Sequence, residues 1–117
     1  MSMARFEMRA CFISHPFAAN PEENTKRVAR IARTLAHDGV LPLAPQIYLP
    51  QFIDEVTERD LALRLCLELV ALSDEVRVFG EPSAGMRLEI AEAWRLGVPV
   101  VDGVAGGRLL PKGEPPR

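Results

Sequence analysis

Little in this sequence marks a specialised class of protein. It has two cysteines, Cys11 and Cys66, and two histidines, His15 and His37. So few thiols supply no disulfide framework of the secreted kind, and both lie in apolar patterns that suit buried free thiols. These residues stand at unrelated spacings, so no metal site and no other cofactor is expected. Charge of one sign is also scarce. The chain has 14 Lys and Arg against 16 Asp and Glu, a formal net charge of −2. A nucleic-acid backbone is gripped by clustered Lys and Arg, so no nucleic-acid polymer is expected as a partner. No apolar run approaches the ~18 residues of a membrane span. Residues 1–10 lack the apolar centre of a signal peptide. A cytoplasmic protein with no membrane partner is expected.

What is present is an ordinary globular balance. Of 117 residues, 48% are hydrophobic and 26% charged, which fits one domain with its own core. Residues 8–14 form a short apolar run ending at His15-Pro16, where proline blocks further pairing; they read as a first strand. Asn20 is placed to cap a helix over 21–37, with Pro21 at its first position and Glu22 and Glu23 in its first turn. Val28, Ile31, Ala32 and Leu35 give that helix one apolar stripe, and Asp38-Gly39 ends it. His37 suits the negative end of that helix and carries no further role. A second strand is expected over 40–44. Pro42, Pro45 and Pro50 frame a loop that runs to Gln51.

Residues 52–72 predict a long helix that is apolar almost all round. Val56, Leu63, Leu67 and Val70 make one stripe, and Leu61, Leu65, Leu69 and Leu72 a neighbouring one. One sheet face cannot cover both stripes. A homodimer or higher homo-oligomer joined through this helix is therefore expected. The alternative is that the tail, with Leu109 and Leu110, folds back over it. Residues 75–79 read as a third strand. A third helix follows over 83–96, with Met86, Ile90, Ala93 and Trp94 on one face and Gly97 as its cap. Residues 98–101 read as a fourth strand.

Strands and helices thus alternate. Alternation implies right-handed crossovers and a parallel sheet with helices on both faces. The expected fold is α/β, a three-layer flavodoxin- or Rossmann-like arrangement with a small parallel sheet of four to five strands. The domain is expected over 1–102, followed by a Gly- and Pro-rich tail over 103–117, flexible from Pro111 onward. In that tail, 107–110 can add an edge strand. Ligands bind such sheets beyond the carboxyl ends of the strands, where strand order reverses. That rule selects segments 14–20, 45–51 and 80–85.

The third segment is the most informative. Gly80 and Gly85 allow close backbone approach, and Ser83 offers a hydroxyl at a helix mouth. The first-turn N–H groups and the helix dipole there favour an anion such as a phosphate. Glu89 lies one turn further in, deeper than capping requires. A purely local reading is equally open: Ser83 as an N-cap, Gly85 as a turn residue, Glu89 as a surface charge paired with Arg87 or Arg95.

A family resemblance adds to this. The run Glu81-Pro82-Ser83-Ala84-Gly85-Met86-Arg87-Leu88-Glu89-Ile90-Ala91-Glu92-Ala93, then Leu96-Gly97-Val98-Pro99-Val100, resembles the nucleoside 2-deoxyribosyltransferase superfamily. It is especially similar to the deoxynucleoside 5′-monophosphate N-glycosidase branch, where Pro-Ser-x-Gly-x-x-x-Glu sets the serine on phosphate and the glutamate on sugar. Overall it looks closest to an uncharacterised phage and bacterial branch. The matching residues are Ser14, Pro16, Asn24, Gly39, Pro42, Asp74, Ser83, Gly85, Met86 and Glu89. The resemblance covers roughly 8–101.

It implies a small nucleoside or nucleotide as partner and substrate. Glu89 would attack the anomeric carbon as the base departs, and water or another base would take the glycosyl group. Ser83, Gly85 and nearby N–H groups would hold a 5′-phosphate or 5′-hydroxyl. The transferases carry Asp near the position of Ser83 and Thr where Met86 stands. Their base-recognising aspartate lies on a helix before the third strand, and Asp60 is the residue that the resemblance offers in its place here. The resemblance also implies an oligomer whose pockets are completed by a neighbouring subunit. Two other classes stand beside this enzyme: a non-catalytic nucleotide-binding module of the same fold, and a cytokinin-activating type of phosphoribohydrolase, whose Pro-Gly-Gly run is missing.

The remaining candidates have two readings each. His15 can protonate a leaving base or touch phosphate, or be a plain loop residue. Phe17 and Tyr48 can stack on a base or simply pack. Asp74 reads first as a helix-to-strand turn with Ser73, and through the resemblance as a pocket residue. Arg77 interrupts an apolar strand and marks a pocket or an edge.

Overall fold

A computed structural model of the chain describes residues 8–104 and 107–113. The first strand, β1, spans Ala10–Ser14 and is buried along its whole length. Helix α1, Pro21–His37, starts where Asn20 accepts a hydrogen bond from the Glu23 N–H. It presents Val28 and Leu35 to Cys11 and Ile13 of β1. Strand β2, Leu41–Leu43, and a short helix α2, Pro45–Tyr48, follow. A 3₁₀ turn over Leu49–Gln51 leads on to α3, Arg59–Ala71. Strand β3 is Glu75–Val78, α4 is Ala84–Leu96, β4 is Val100–Asp102 and β5 is Arg108–Leu109.

The sheet order is β2-β1-β3-β4-β5, parallel except for the antiparallel β5. The α/β fold expected from the alternation is thus the fold observed. Side chains alternate across each strand. Phe12, Val76, Val78 and Val100 face one core with Val70 of α3 and Met86, Ile90 and Ala93 of α4. Cys11 and Ile13 face the other core, under α1. The chain leaves β1 toward β2 on one side and returns to β3 on the other. The reversal point therefore lies between the carboxyl ends of β1 and β3, where such sheets take ligands.

Two expectations need correction. The long helix over 52–72 is not continuous. Asp54 Oδ1 accepts from the N–H groups of Val56 and Thr57, at 2.9 and 3.2 Å, and Glu58 Oε1 accepts from Asp54 N–H at 2.9 Å. These side chains satisfy the backbone locally and close a separate turn, so α3 begins only at Arg59. The expected loop over 45–51 is instead helical, because Pro45 and Pro50 each sit in the first turn of a short helix. The edge strand expected over 107–110 forms as β5, and Leu110 is buried in the α3–α4 core. Trp94 Nε1–H donates to the Leu110 carbonyl at 3.1 Å. Residues 1–7 of the expected domain, and 105–106 and 114–117 of the expected tail, lie outside the described residues. No helix among the described residues is long and apolar enough to cross a membrane.

Candidate functional site

All three segments selected by the strand-end rule meet around one cavity of about 360 Å³. That size suits a small organic ligand. The first segment contributes His15, Phe17 and Ala18, and the second Pro45, Gln46 and Leu49. Ser83, Ala84, Gly85, Met86, Leu88 and Glu89 come from the start of α4. The fourth wall is Glu55, Arg59, Ala62, Leu63 and Cys66, which run along α3 and the turn before it.

Glu89 is the chemical centre. It is half-buried, and its Oε1 accepts a 2.7 Å hydrogen bond from the Ser14 hydroxyl at the end of β1. Ser14 is itself fully buried. β1 thus places a donor under the carboxyl, and α4 aims the carboxyl across the sheet end. Burial pushes the Glu89 pKa up to about 7, while the Ser14 hydroxyl favours the charged form and pulls it down. Beside it the Cys66 thiol is pushed up to about 12, by burial first and then by the charges of Glu89 and Glu55. Such a thiol stays protonated and is no nucleophile.

The α4 N-terminus forms the other functional end. Ser83 Oγ accepts from the Met86 N–H at 3.3 Å, while the Ser83 N–H donates to the Met86 thioether at 3.4 Å. Met86 therefore completes the cap that Glu or Gln usually completes. The first turn carries no acidic side chain, which keeps its positive end open to an anion. A Cβ at Gly85 would meet nothing within 4 Å, so glycine there keeps space in the cavity rather than relieving a clash.

Positioning residues surround these two ends. His15 Nδ1–H donates to the Pro16 carbonyl at 2.8 Å, which leaves Nε2 as the second exchangeable position of the ring. The Phe79 ring stands beside His15, with centroids 6.3 Å apart. Asn24 is buried and does not line the cavity; its Nδ2 donates to the Phe17 carbonyl at 3.2 Å and holds the loop shut against α1. Pro16 packs beside Gly80 rather than into the cavity. Gln46 Nε2 is buried with no hydrogen-bond partner among the described residues, a donor left over for a ligand.

Two candidates are elsewhere. Asp74 lies at the amino edge of the sheet, roughly 13 Å of strand from the cavity, where its Oδ2 accepts from Ala10 N–H at 2.7 Å and ties β1 to β3. Tyr48 is on the outer face of α2, exposed and in tilted contact with the Phe52 ring at 5.9 Å between centroids, while Pro45, Gln46 and Leu49 take the inner face. Asp60 does not line the cavity; the charged residues on that wall are Glu55 and Arg59. Arg77 is bound to Glu75 on the α1 side of the sheet.

A family model described as a domain of unknown function, DUF7768, matches residues 9–102. The chain belongs to this family. The DUF7768 match thus spans β1 to β4, including every segment that lines the cavity. Among solved structures, a 2-deoxyribosyltransferase from the psychrotolerant bacterium Bacillus psychrosaccharolyticus is similar, with a TM-score of 0.61 at 20% identity. The alignment covers 78% of this DUF7768 chain and 69% of the transferase. At that identity the likeness shows a shared fold. No curated protein matches the sequence.

Proposed function

We propose that this protein cleaves the N-glycosidic bond of a nucleoside or deoxynucleotide, with Glu89 as the nucleophile. The observation that carries the reading is the placement of Glu89 on Ser14 at one end of a cavity whose other end is the open α4 N-terminus. Glu89 stands six positions beyond the capping Ser83, roughly 9 Å along the axis. That span matches a sugar phosphate laid along α4, with its phosphate at Ser83 and Gly85 and its anomeric carbon at Glu89.

The reaction follows from those positions. The bond from C1′ to the base nitrogen breaks, and its electron pair leaves with the base, which takes up a proton supplied from the His15 side. Positive charge develops on the sugar as the Glu89 oxygen closes on C1′. A carboxyl desolvated to a pKa of about 7 gains most when that charge appears beside it. Water or a second base then attacks C1′ and releases Glu89, so hydrolysis and transfer share a first step. The deoxyribosyltransferase fold and the sequence resemblance around Ser83 to Glu89 support the same chemistry. Pocket completion by a second copy of the chain, expected from the resemblance, belongs to this proposal.

Chromatography of free base tests it. The protein, incubated with a panel of nucleosides and 2′-deoxynucleoside 5′-monophosphates, is expected to release base from at least one, and Glu89→Gln is expected to release none while keeping its circular dichroism. Turnover by Glu89→Gln at wild-type level removes Glu89 from the role. Binding without release by the wild type makes the chain a nucleotide-binding module.

A further inference from the structure

We propose that His15 carries the proton in both steps, to the departing base and then from the attacking water, and that Phe79 and Gly103 are positioning residues that hold its ring for this. The inference rests on the glycosidic reading above. Besides Glu89, the titratable side chains lining the cavity among the described residues are His15, Glu55, Arg59 and Cys66. A guanidinium does not give up its proton in a protein. The Cys66 thiol, pushed up to about 12, is too weak an acid. His15 and Glu55 are left. Only His15 adjoins Ser14, the residue that donates to the Glu89 carboxyl, so the end of β1 places the proton carrier beside the support of the nucleophile.

The His15 ring is fixed on two sides. Its Nδ1–H donates to the Pro16 carbonyl at 2.8 Å. That bond sets the neutral tautomer and leaves Nε2 as the nitrogen that gains and loses a proton. The Phe79 ring stands on another side, tilted by 36° with centroids 6.3 Å apart, within the range of aromatic contact. Phe79 does not line the cavity, so it acts on a ligand only through His15. Its N–H donates to the Ser14 carbonyl at 2.9 Å, which ties β3 to the end of β1 at the same point.

Gly103 shows that the place of the Phe79 ring is built in. A Cβ at Gly103 would overlap Cε2, Cζ and Cδ2 of that ring. The backbone there does not need glycine, since its φ is not positive. The ring does. The Gly103 N–H donates to the Val78 carbonyl at 2.8 Å, which holds this backbone close beside β3.

The chemistry asks for one ring in one orientation. As the bond from C1′ to the base breaks, its electron pair goes to the base. The Nε2 proton of the imidazolium passes to N7 of a purine or O2 of a pyrimidine. Neutral His15 then takes a proton from the water that attacks C1′, the Glu89 oxygen leaves with its electron pair, and the imidazolium is restored.

The test compares ordinary bases with bases that depart without a proton. Release of the first equivalent of base is measured from 2′-deoxyguanosine and 2′-deoxyuridine 5′-monophosphates and from their N7-methylguanine and 5-nitrouracil counterparts, each above its rate without protein. His15→Ala is expected to slow the ordinary pair by roughly a hundredfold or more and to spare the activated pair. Later turnovers are expected to slow for both pairs, because the second step needs the same group as a base. Phe79→Leu and Gly103→Ala are expected to give the same selective pattern at roughly tenfold, and Gly103→Ala to add nothing once Phe79→Leu is present. Equal loss on both pairs overturns the inference and leaves the glycosidase reading standing. The selective pattern in Glu55→Gln and not in His15→Ala also overturns it. No base from the wild type overturns both. Nitrogen-15 NMR of His15 and His37 needs no turnover: neutral His15 is expected as the Nδ1–H tautomer, and to lose that fixed state in Phe79→Leu while His37 is unchanged. An Nε2–H tautomer overturns the inference by itself.

Discussion

At neutral pH the Glu89 carboxyl sits near the midpoint of its titration, since burial lifts its pKa to about 7 against the pull of the Ser14 hydroxyl. This has a consequence for stability that needs no substrate. Below the ordinary value of 4.5 the group is protonated in both the folded and the unfolded chain. Between 4.5 and about 7 the unfolded chain gives up the proton and the folded one keeps it. The protonated fold is therefore stabilised at low pH, and that stability is lost as pH rises through 7. The loss is at most roughly 3 kcal/mol, and less where water reaches the half-buried side chain. Thermal melts from pH 5 to pH 8 are expected to show a falling contribution that Glu89→Gln removes. Parallel pH profiles for the two proteins would contradict the burial of this carboxyl.

The two helices that flank the cavity were unequally legible. The start of α4 could be read directly, because Pro82, Ser83 and Gly85 are local signals, whereas the placement of Glu89 against Ser14 depends on β1, 75 residues away. The α3 wall could not. Its apolar residues occur all round the helix, so periodicity alone gives no cavity face, and Asp54 breaks the run by satisfying backbone groups that a longer helix would have used. Glu55 and Arg59 consequently look like ordinary surface charges in the sequence. Asp74 shows that local reading can hold: the residues suggest a helix-to-strand turn, and the sheet direction places the carboxylate at the amino edge, away from the pocket that the resemblance implied. One prediction belongs to α4. Gly85→Ala meets open space and is expected to raise stability by roughly 0.5–1 kcal/mol, since alanine favours helix over glycine. It is also expected to weaken binding of a deoxynucleoside 5′-monophosphate by roughly tenfold, as its methyl group takes ligand space. Unchanged binding by calorimetry would place the phosphate elsewhere.

For the whole molecule, assembly turns on the apolar surface of the segment before and along α3. Phe52, Val56, Leu61 and Leu72 are exposed, with Val56 at 85% and Leu72 at 74%. Among the described residues, the C-terminal stretch supplies one core residue, Leu110, which packs into the α3–α4 core from the far end of the chain, while Leu109 stays exposed. A homodimer joined there is expected to give about twice the 12.9 kDa chain mass by light scattering at micromolar concentration; a clean monomer mass would remove the assembly from the account. The central claim, a covalent role for Glu89, is open to a more direct measurement. A 2′-fluoro-2′-deoxynucleoside with an activated leaving base traps a glycosyl-enzyme, because fluorine at C2′ opposes positive charge at C1′ in both steps while the good leaving group speeds only the first. Intact-protein mass spectrometry after incubation is expected to show the chain carrying one fluorodeoxyribosyl group, with the added mass on the peptide containing Glu89. Base release from the same substrate with no added mass, or with the mass on another residue, would contradict it.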